Sequence, residues 1–205
     1  MEKKKPFWEE SYKRPGKLDT FGDGKPSEAV IKVAAKLPKG IKALDLGCGE
    51  GRNAIYLAGL GFKTYASDIS ESGIAKLNAV AREKELTIDT SVCDMREFKF
   101  PGKFDLIVCL GCLHLIPHHD WEILVKRMKE NTVTGGLHVI GVFTDTVPEP
   151  EDQRGLMVGL FKEGELLEQY RDWEIVESHV YRFTHTHPGG ITHEHAGNDI
   201  VARKL

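Results

Sequence analysis

The chain has 205 residues, 40% of them hydrophobic and 29% charged, with a formal net charge of -3. That length and balance suit one domain that buries its own core without disulfide staples. The slight negative charge argues against nucleic acid as a partner, and no run of about 18 apolar residues offers a membrane span.

The opening MEKKKPFWEE has a basic run but lacks the apolar stretch of a signal peptide. Cys48, Cys93, Cys109 and Cys112 lie in or beside apolar runs rather than in a spaced framework. Reduced thiols and a cytoplasmic setting are therefore expected. Residues 1–25 are rich in charge, glycine and proline and read as an arm or lid ahead of a core over 26–205, the whole forming one domain.

Val30, Val33, Ala34 and Leu37 recur at i, i+3, i+4 and i+7, which predicts a helix over 27–37, ended by Pro38 and Gly40. An apolar strand over 43–46 runs straight into glycines, and a helix over 52–60 stops at Gly61. The second strand, 63–67, ends at Asp68, and Ser70 fits as N-cap of a helix reaching 84. Strands follow over 87–93 and 104–110. Pro117 opens a helix with Trp121, Leu124, Val125 and Met128 on its apolar face. Gly135 and Gly136 punctuate before a strand over 137–143. A helix over 163–170 and two strands, 173–182 and 191–203, joined by a turn at Pro188-Gly189-Gly190, complete the chain.

Such alternation predicts an α/β fold with a mostly parallel sheet, helices on both faces and an antiparallel hairpin at one edge. Ligands of these sheets bind at the carboxyl ends of the strands. The first strand ends in Asp45-Leu46-Gly47-Cys48-Gly49-Glu50-Gly51. Glycines there let the backbone turn tightly and approach a ligand. A dinucleotide loop would place its third glycine where this chain has Arg52. Asp45 would repel a pyrophosphate but suits a ligand carrying an ammonium and a sulfonium, as S-adenosyl-L-methionine does. Asp68 is placed to accept hydrogen bonds from both ribose hydroxyls, with Ile69 beside it. Asp94 is placed to accept an adenine amino group, with Met95 against the ring.

Leu44 to Asn53 resembles the first motif of class I methyltransferases. The Gly51-Arg52-Asn53 extension, Phe161-Lys162-Glu163-Gly164-Glu165-Leu166 with Tyr170 and Trp173 following, and Val201-Ala202-Arg203-Lys204 resemble the tellurite-resistance methyltransferase family. The resemblance implies a Rossmann-like, seven-stranded sheet of order 3-2-1-4-5-7-6 with its last strand antiparallel. It implies cofactor contacts at Asp45, Gly47, Cys48, Gly49, Asn53, Asp68, Asp94 and the backbone near Leu110, with Tyr12 near the cofactor. It also implies a small acceptor such as tellurite or selenite.

Methyl transfer from a sulfonium is an in-line displacement, and a base is needed only if the nucleophile arrives protonated. The exit of the fourth strand, Gly111-Cys112-Leu113-His114, is expected to border the methyl group. His114 there is a candidate base or acceptor contact, set against the commoner structural role. The Cys109-x-x-Cys112 spacing has no second pair for zinc and does not open a helix as a redox pair does, so two core thiols are expected. His185, His187, His193 and His195 flank the last turn. They read as surface residues, as holders of an anionic acceptor together with Arg182 and His114, or as metal ligands. A small thiol, amine or hydroxyl is the alternative acceptor. A nicotinamide oxidoreductase and a non-catalytic S-adenosylmethionine-binding module are the competing functions. A monomer or a homodimer is expected.

Overall fold

The architecture comes from a computed structural model, which describes residues 7–14, 18, 20, 22–186 and 192–205. Helix α1 (Phe7–Tyr12) precedes α2 (Glu28–Ala34), β1 (Lys42–Leu46), α3 (Arg52–Gly59), β2 (Lys63–Asp68), α4 (Glu71–Glu83), β3 (Ile88–Val92) and β4 (Phe104–Leu110). Then come α5 (His118–Glu130), β5 (Thr132–Thr144), α6 (Glu165–Gln169), β6 (Glu174–Thr186) and β7 (Thr192–Arg203). The sheet has seven strands in the order β3-β2-β1-β4-β5-β7-β6. Among the described residues, no helix is long and apolar enough to cross a membrane.

The chain forms two compact units, Met1–Val108 and Cys109–Leu205. In the first, β1 pairs in parallel with β2 and β4, and β2 with β3. Helix α3 packs on β1 and β2, α4 on β2 and β3, and α1 on α4. Cys48, Ala54, Ile55, Ala66, Ile74, Leu77 and Ala81 form a buried cluster under the β1–α3 connection. Ser70 caps α4 as its sequence position promised, its hydroxyl accepting from the Gly73 N–H at 3.0 Å. Helix α2 ends at Ala34, because the Lys36 and Leu37 N–H groups donate to the carbonyls of Val33 and Ala34 in a tighter terminal turn.

In the second unit, β7 runs antiparallel between β5 and β6. Its core holds Trp121 stacked on Phe161, with ring centroids 4.0 Å apart. Strand β5 begins five residues before the predicted 137, since Gly135 and Gly136 continue pairing. The Gly135 N–H donates to the Lys204 carbonyl and the Lys204 N–H to the Gly136 carbonyl, both at 2.9 Å. A buried imidazole anchors this extension. His138 lies 2.8 Å from the hydroxyls of both Thr132 and Tyr170. The Thr132 hydroxyl donates to the Met128 carbonyl. It therefore accepts from His138 Nε2, and His138 Nδ1 accepts from Tyr170.

Gly159 sits where a Cβ would lie 1.9 Å from the Ile116 carbonyl oxygen and 3.0 Å from Trp121 Cδ1. Gly159→Ala is expected to destabilise the protein by about 1–3 kcal/mol through overpacking against backbone. A thermal midpoint equal to that of the parent would show that the Ile116 segment yields freely.

Candidate cofactor and acceptor sites

Gly47, Gly49 and Gly51 all have positive φ, at 75°, 56° and 89°. Each therefore occupies backbone space that a side chain would strain. The resulting turn spends its amides internally. The Gly47 and Cys48 N–H groups donate to the Ser67 carbonyl at 2.8 and 3.0 Å. That of Gly51 donates to the Cys48 carbonyl at 2.9 Å, and that of Gly49 to Asp68 Oδ2 at 2.7 Å. A pyrophosphate would need those donors. What the turn presents instead is carboxylate charge.

Asp45, 2% exposed, accepts from the Ala54 N–H through Oδ2 at 3.1 Å. Burial pushes its carboxyl up to about 7, against an opposing pull from the Arg52 guanidinium. Arg52 directs Nη1 to the Lys25 carbonyl. Asp68 accepts from Gly49 and Ser70, and burial raises its pKa as well. The Glu9 carboxylate adds to that rise, while its Oε2 accepts from the Ser70 hydroxyl at 2.5 Å. Asp45 and Asp68 make no ion pair among the described residues; Arg52 acts on Asp45 but turns its Nη1 to the Lys25 carbonyl, so this corner keeps a carboxylate character. It fits a ligand with an ammonium and a sulfonium and does not fit a dinucleotide.

Ile69, directly after Asp68, is 63% exposed, an apolar surface beside the carboxylate that is suited to a base or sugar. Asp94 is held by Arg96, whose Nη2 lies 2.5 Å from Oδ2, and this guanidinium keeps the Asp94 carboxyl below its usual range. Met95 is half-buried beside it. Tyr12 packs on the turn, its hydroxyl 2.5 Å from where a Gly49 Cβ would sit. Leu110, half-buried, ends β4 in the second unit.

Two sequence assignments need correction. Asn53 is buried and its Oδ1 accepts from the Ser27 N–H at 2.9 Å, so its carboxamide oxygen holds the start of α2. Cys48 points into the core, and burial pushes its thiol well up. The sequence reading also missed a buried pair. Lys76 Nζ lies 2.6 Å from Glu50 Oε2, and Glu50 in turn accepts from the Thr20 N–H and hydroxyl. Nothing in a glycine motif marks its intervening Glu as buried, because the partner stands 26 residues away. Lys76→Met is expected to cost about 3–5 kcal/mol by leaving Glu50 uncompensated. The double variant Glu50→Gln/Lys76→Met should recover most of that loss in a denaturant titration. No recovery would mean that Thr20 and the surrounding packing, rather than the charge pair, set the cost.

In the second unit, His114 is 2% exposed and accepts from the Phe143 N–H through Nδ1 at 3.2 Å. Burial, then His195, lowers its pKa to about 3. The imidazole is therefore neutral, with its proton on Nε2, and its Nδ1 is engaged by the Phe143 N–H. Phe143 stacks on both His114 and His195, with centroids 4.3 and 4.9 Å away. His193 and His195 are buried on one face of β7, and Gln153 Nε2 lies 3.1 Å from His193 Nδ1. The surface reading fails for these two. Arg182 stands on the solvent side, 3.8 Å from the exposed Glu194, because strand alternation separates it from that face. His185 pairs in register with His193, and His187 lies outside the described residues. Among the described residues, no three His, Cys, Asp or Glu side chains gather as a metal site.

A sheet of order 3-2-1-4-5-7-6 with its glycine turn after the first strand is the fold of class I methyltransferases. Solved structures agree. Haemophilus influenzae TehB superposes with a TM-score of 0.78 at 30% identity, over 87% of this chain and 62% of that one. The Synechocystis magnesium protoporphyrin IX methyltransferase shares the fold with a TM-score of 0.64 at 18% identity, over 87% and 83%. The family described as tellurite resistance protein TehB matches residues 20–190, and the chain belongs to that family. It is 36% identical over 146 residues to the probable S-adenosyl-L-methionine-dependent methyltransferase TehB of Haemophilus influenzae. That match covers 70% of this chain and 50% of the relative, so the chain spans about half the length of the relatives it matches.

Proposed function

We propose that the chain is an S-adenosyl-L-methionine-dependent methyltransferase acting on a small molecule. The observation that carries this reading is a glycine turn with its amides already spent, set between buried Asp45 and half-buried Asp68, neither of which forms an ion pair among the described residues. The cofactor supplies a methyl group already activated on sulfonium, so the protein's task is alignment. Asp45 would hold the ammonium, Asp68 the ribose hydroxyls, Ile69 and Met95 the faces of the base, and Asp94 its amino group. The acceptor is a soft small nucleophile, with tellurite, which the family name mentions, and its chemical analogue selenite foremost. With His114 neutral and Arg182 paired with Glu194, holding an anion falls to His185 and His187. The two units act as one domain, in a reducing cytoplasmic setting, as a monomer or homodimer.

Titration calorimetry with S-adenosyl-L-methionine and with NAD tests the cofactor: heat from the first alone supports the reading, and heat from NAD alone sinks it. Release of S-adenosylhomocysteine with tellurite, selenite, thiols, amines and hydroxyl compounds then tests the acceptor.

Helix α1 is the lid in this reading. Tyr12 and Glu9 bring it onto the glycine turn and the α4 cap, where a closed arm excludes water from the cofactor. Tryptic cleavage after Lys13 is expected to slow several-fold when S-adenosylhomocysteine is added. Equal rates with and without it would leave α1 a fixed helix.

A further inference from the structure

Four cysteines are present, and two of them meet. Cys109, in β4, and Cys112, at the start of the 3-10 turn Leu113–Leu115, bring their sulfurs to 3.3 Å. The chain reverses between them at Gly111, whose φ of 72° is open to glycine without strain. Cys-x-x-Cys spacing alone predicted two ordinary core thiols. The left-handed turn is what aims both side chains at one point.

We infer that Cys109 and Cys112 form a reversible dithiol–disulfide couple in the second unit. A disulfide needs its sulfurs at about 2.05 Å, so closure is a short movement of groups already in contact. Cys112 is the more accessible of the two, at 6% exposure against 0% for Cys109. Apart from its two chain neighbours, no described atom lies within 4 Å of where a Gly111 Cβ would point, so the outside of the turn is open space. With hydrogen peroxide, the Cys112 thiolate attacks one oxygen, the O–O bond breaks, and hydroxide leaves to take a proton as water. The resulting sulfenic acid is attacked by the Cys109 thiolate. The S–S bond forms, the S–O bond breaks and a second water departs. Two thiols and one peroxide thus give one disulfide and two waters, with two electrons passing from sulfur to oxygen. A small dithiol reverses the step by exchange.

The couple has a structural consequence inside its own unit. The 3-10 turn after Cys112 carries His114, which fixes the Phe143 N–H, and the Gly111 N–H donates to the Gly141 carbonyl at 2.9 Å. A bond across Gly111 would lock this junction of β4 and β5. Cys48 and Cys93 serve as internal controls, since neither has another cysteine sulfur in contact among the described residues.

The test exposes the folded full chain to hydrogen peroxide, quenches it, and alkylates all thiols in denaturant before trypsin digestion. Residues 104–126 form one tryptic peptide that contains Cys109 and Cys112 and no other cysteine. That peptide is expected to lose the mass of two hydrogens, to escape alkylation at both positions, and to regain two alkyl groups after dithiothreitol. Cys112→Ser should abolish the change, and the unmutated protein decides the matter if that variant does not fold. Full alkylation of the peptide after peroxide, or irreversible oxygen addition to either sulfur in place of hydrogen loss, overturns the proposal.

Discussion

Replacing Asp68 by Ala is expected to weaken S-adenosyl-L-methionine binding at least tenfold. Two hydroxyl bonds to a carboxylate contribute roughly 1.5–3 kcal/mol each. The loss should exceed the ribose contribution, because Asp68 also holds the Gly49 and Ser70 N–H groups. Without it the glycine turn has one amide unspent. Asp68→Asn keeps an acceptor for one of those amides and is expected to recover the turn but little of the affinity. Calorimetry on both variants reads the difference. Unchanged affinity in Asp68→Ala would remove the ribose assignment, and parent-like affinity in Asp68→Asn would remove the role of charge.

Cofactor affinity is expected to be about tenfold weaker at pH 6 than at pH 8, because Asp45 titrates near 7 and a cation binds its ionised form. At pH 6 each binding event should release close to one proton, seen as a dependence of heat on the buffer's own ionisation enthalpy. The apo protein should behave in the opposite sense. A carboxyl whose folded pKa lies above its unfolded value stabilises the fold at low pH, and that contribution is lost as pH rises through the folded pKa. Between pH 5 and pH 8 the melting midpoint of the ligand-free protein therefore falls on account of Asp45, and Asp68 pulls the same way. Asp45→Asn keeps an oxygen for the Ala54 N–H and should flatten both trends. A pH-independent affinity in the parent would mean that Asp45 does not meet the ligand's charge.

Much of this was legible because local chemistry was unambiguous. The β4 bounds, the Ser70 cap and the Pro117 entry to α5 follow from apolar runs and cap residues. The cofactor carboxylates were legible from their places at strand ends. Long-range pairing was not. Gly135 and Gly136 look like punctuation until Lys204 is seen bonding to both. Strand β6 was expected to stop at 182 and continues to Thr186, since its partner β7 supplies register that no single strand contains. For the same reason Arg182 and the histidines could not be sorted by face until the pairing of Phe183 with His195 was known. Asn53 and Glu50 look like motif positions in sequence. Their partners, Ser27 and Lys76, are 26 residues away and make them part of the framework.

The Glu50 junction also bears on how the first unit breathes. One carboxylate joins Thr20 ahead of α2, the glycine turn and Lys76 on α4, and the turn and α4 also meet in the cluster of Cys48, Ile74 and Leu77. Separating Lys76 from Glu50 strands a buried charge, which favours these segments opening together. In hydrogen–deuterium exchange, the amides of Thr20, Gly47 and Gly49 should therefore exchange with a common opening free energy.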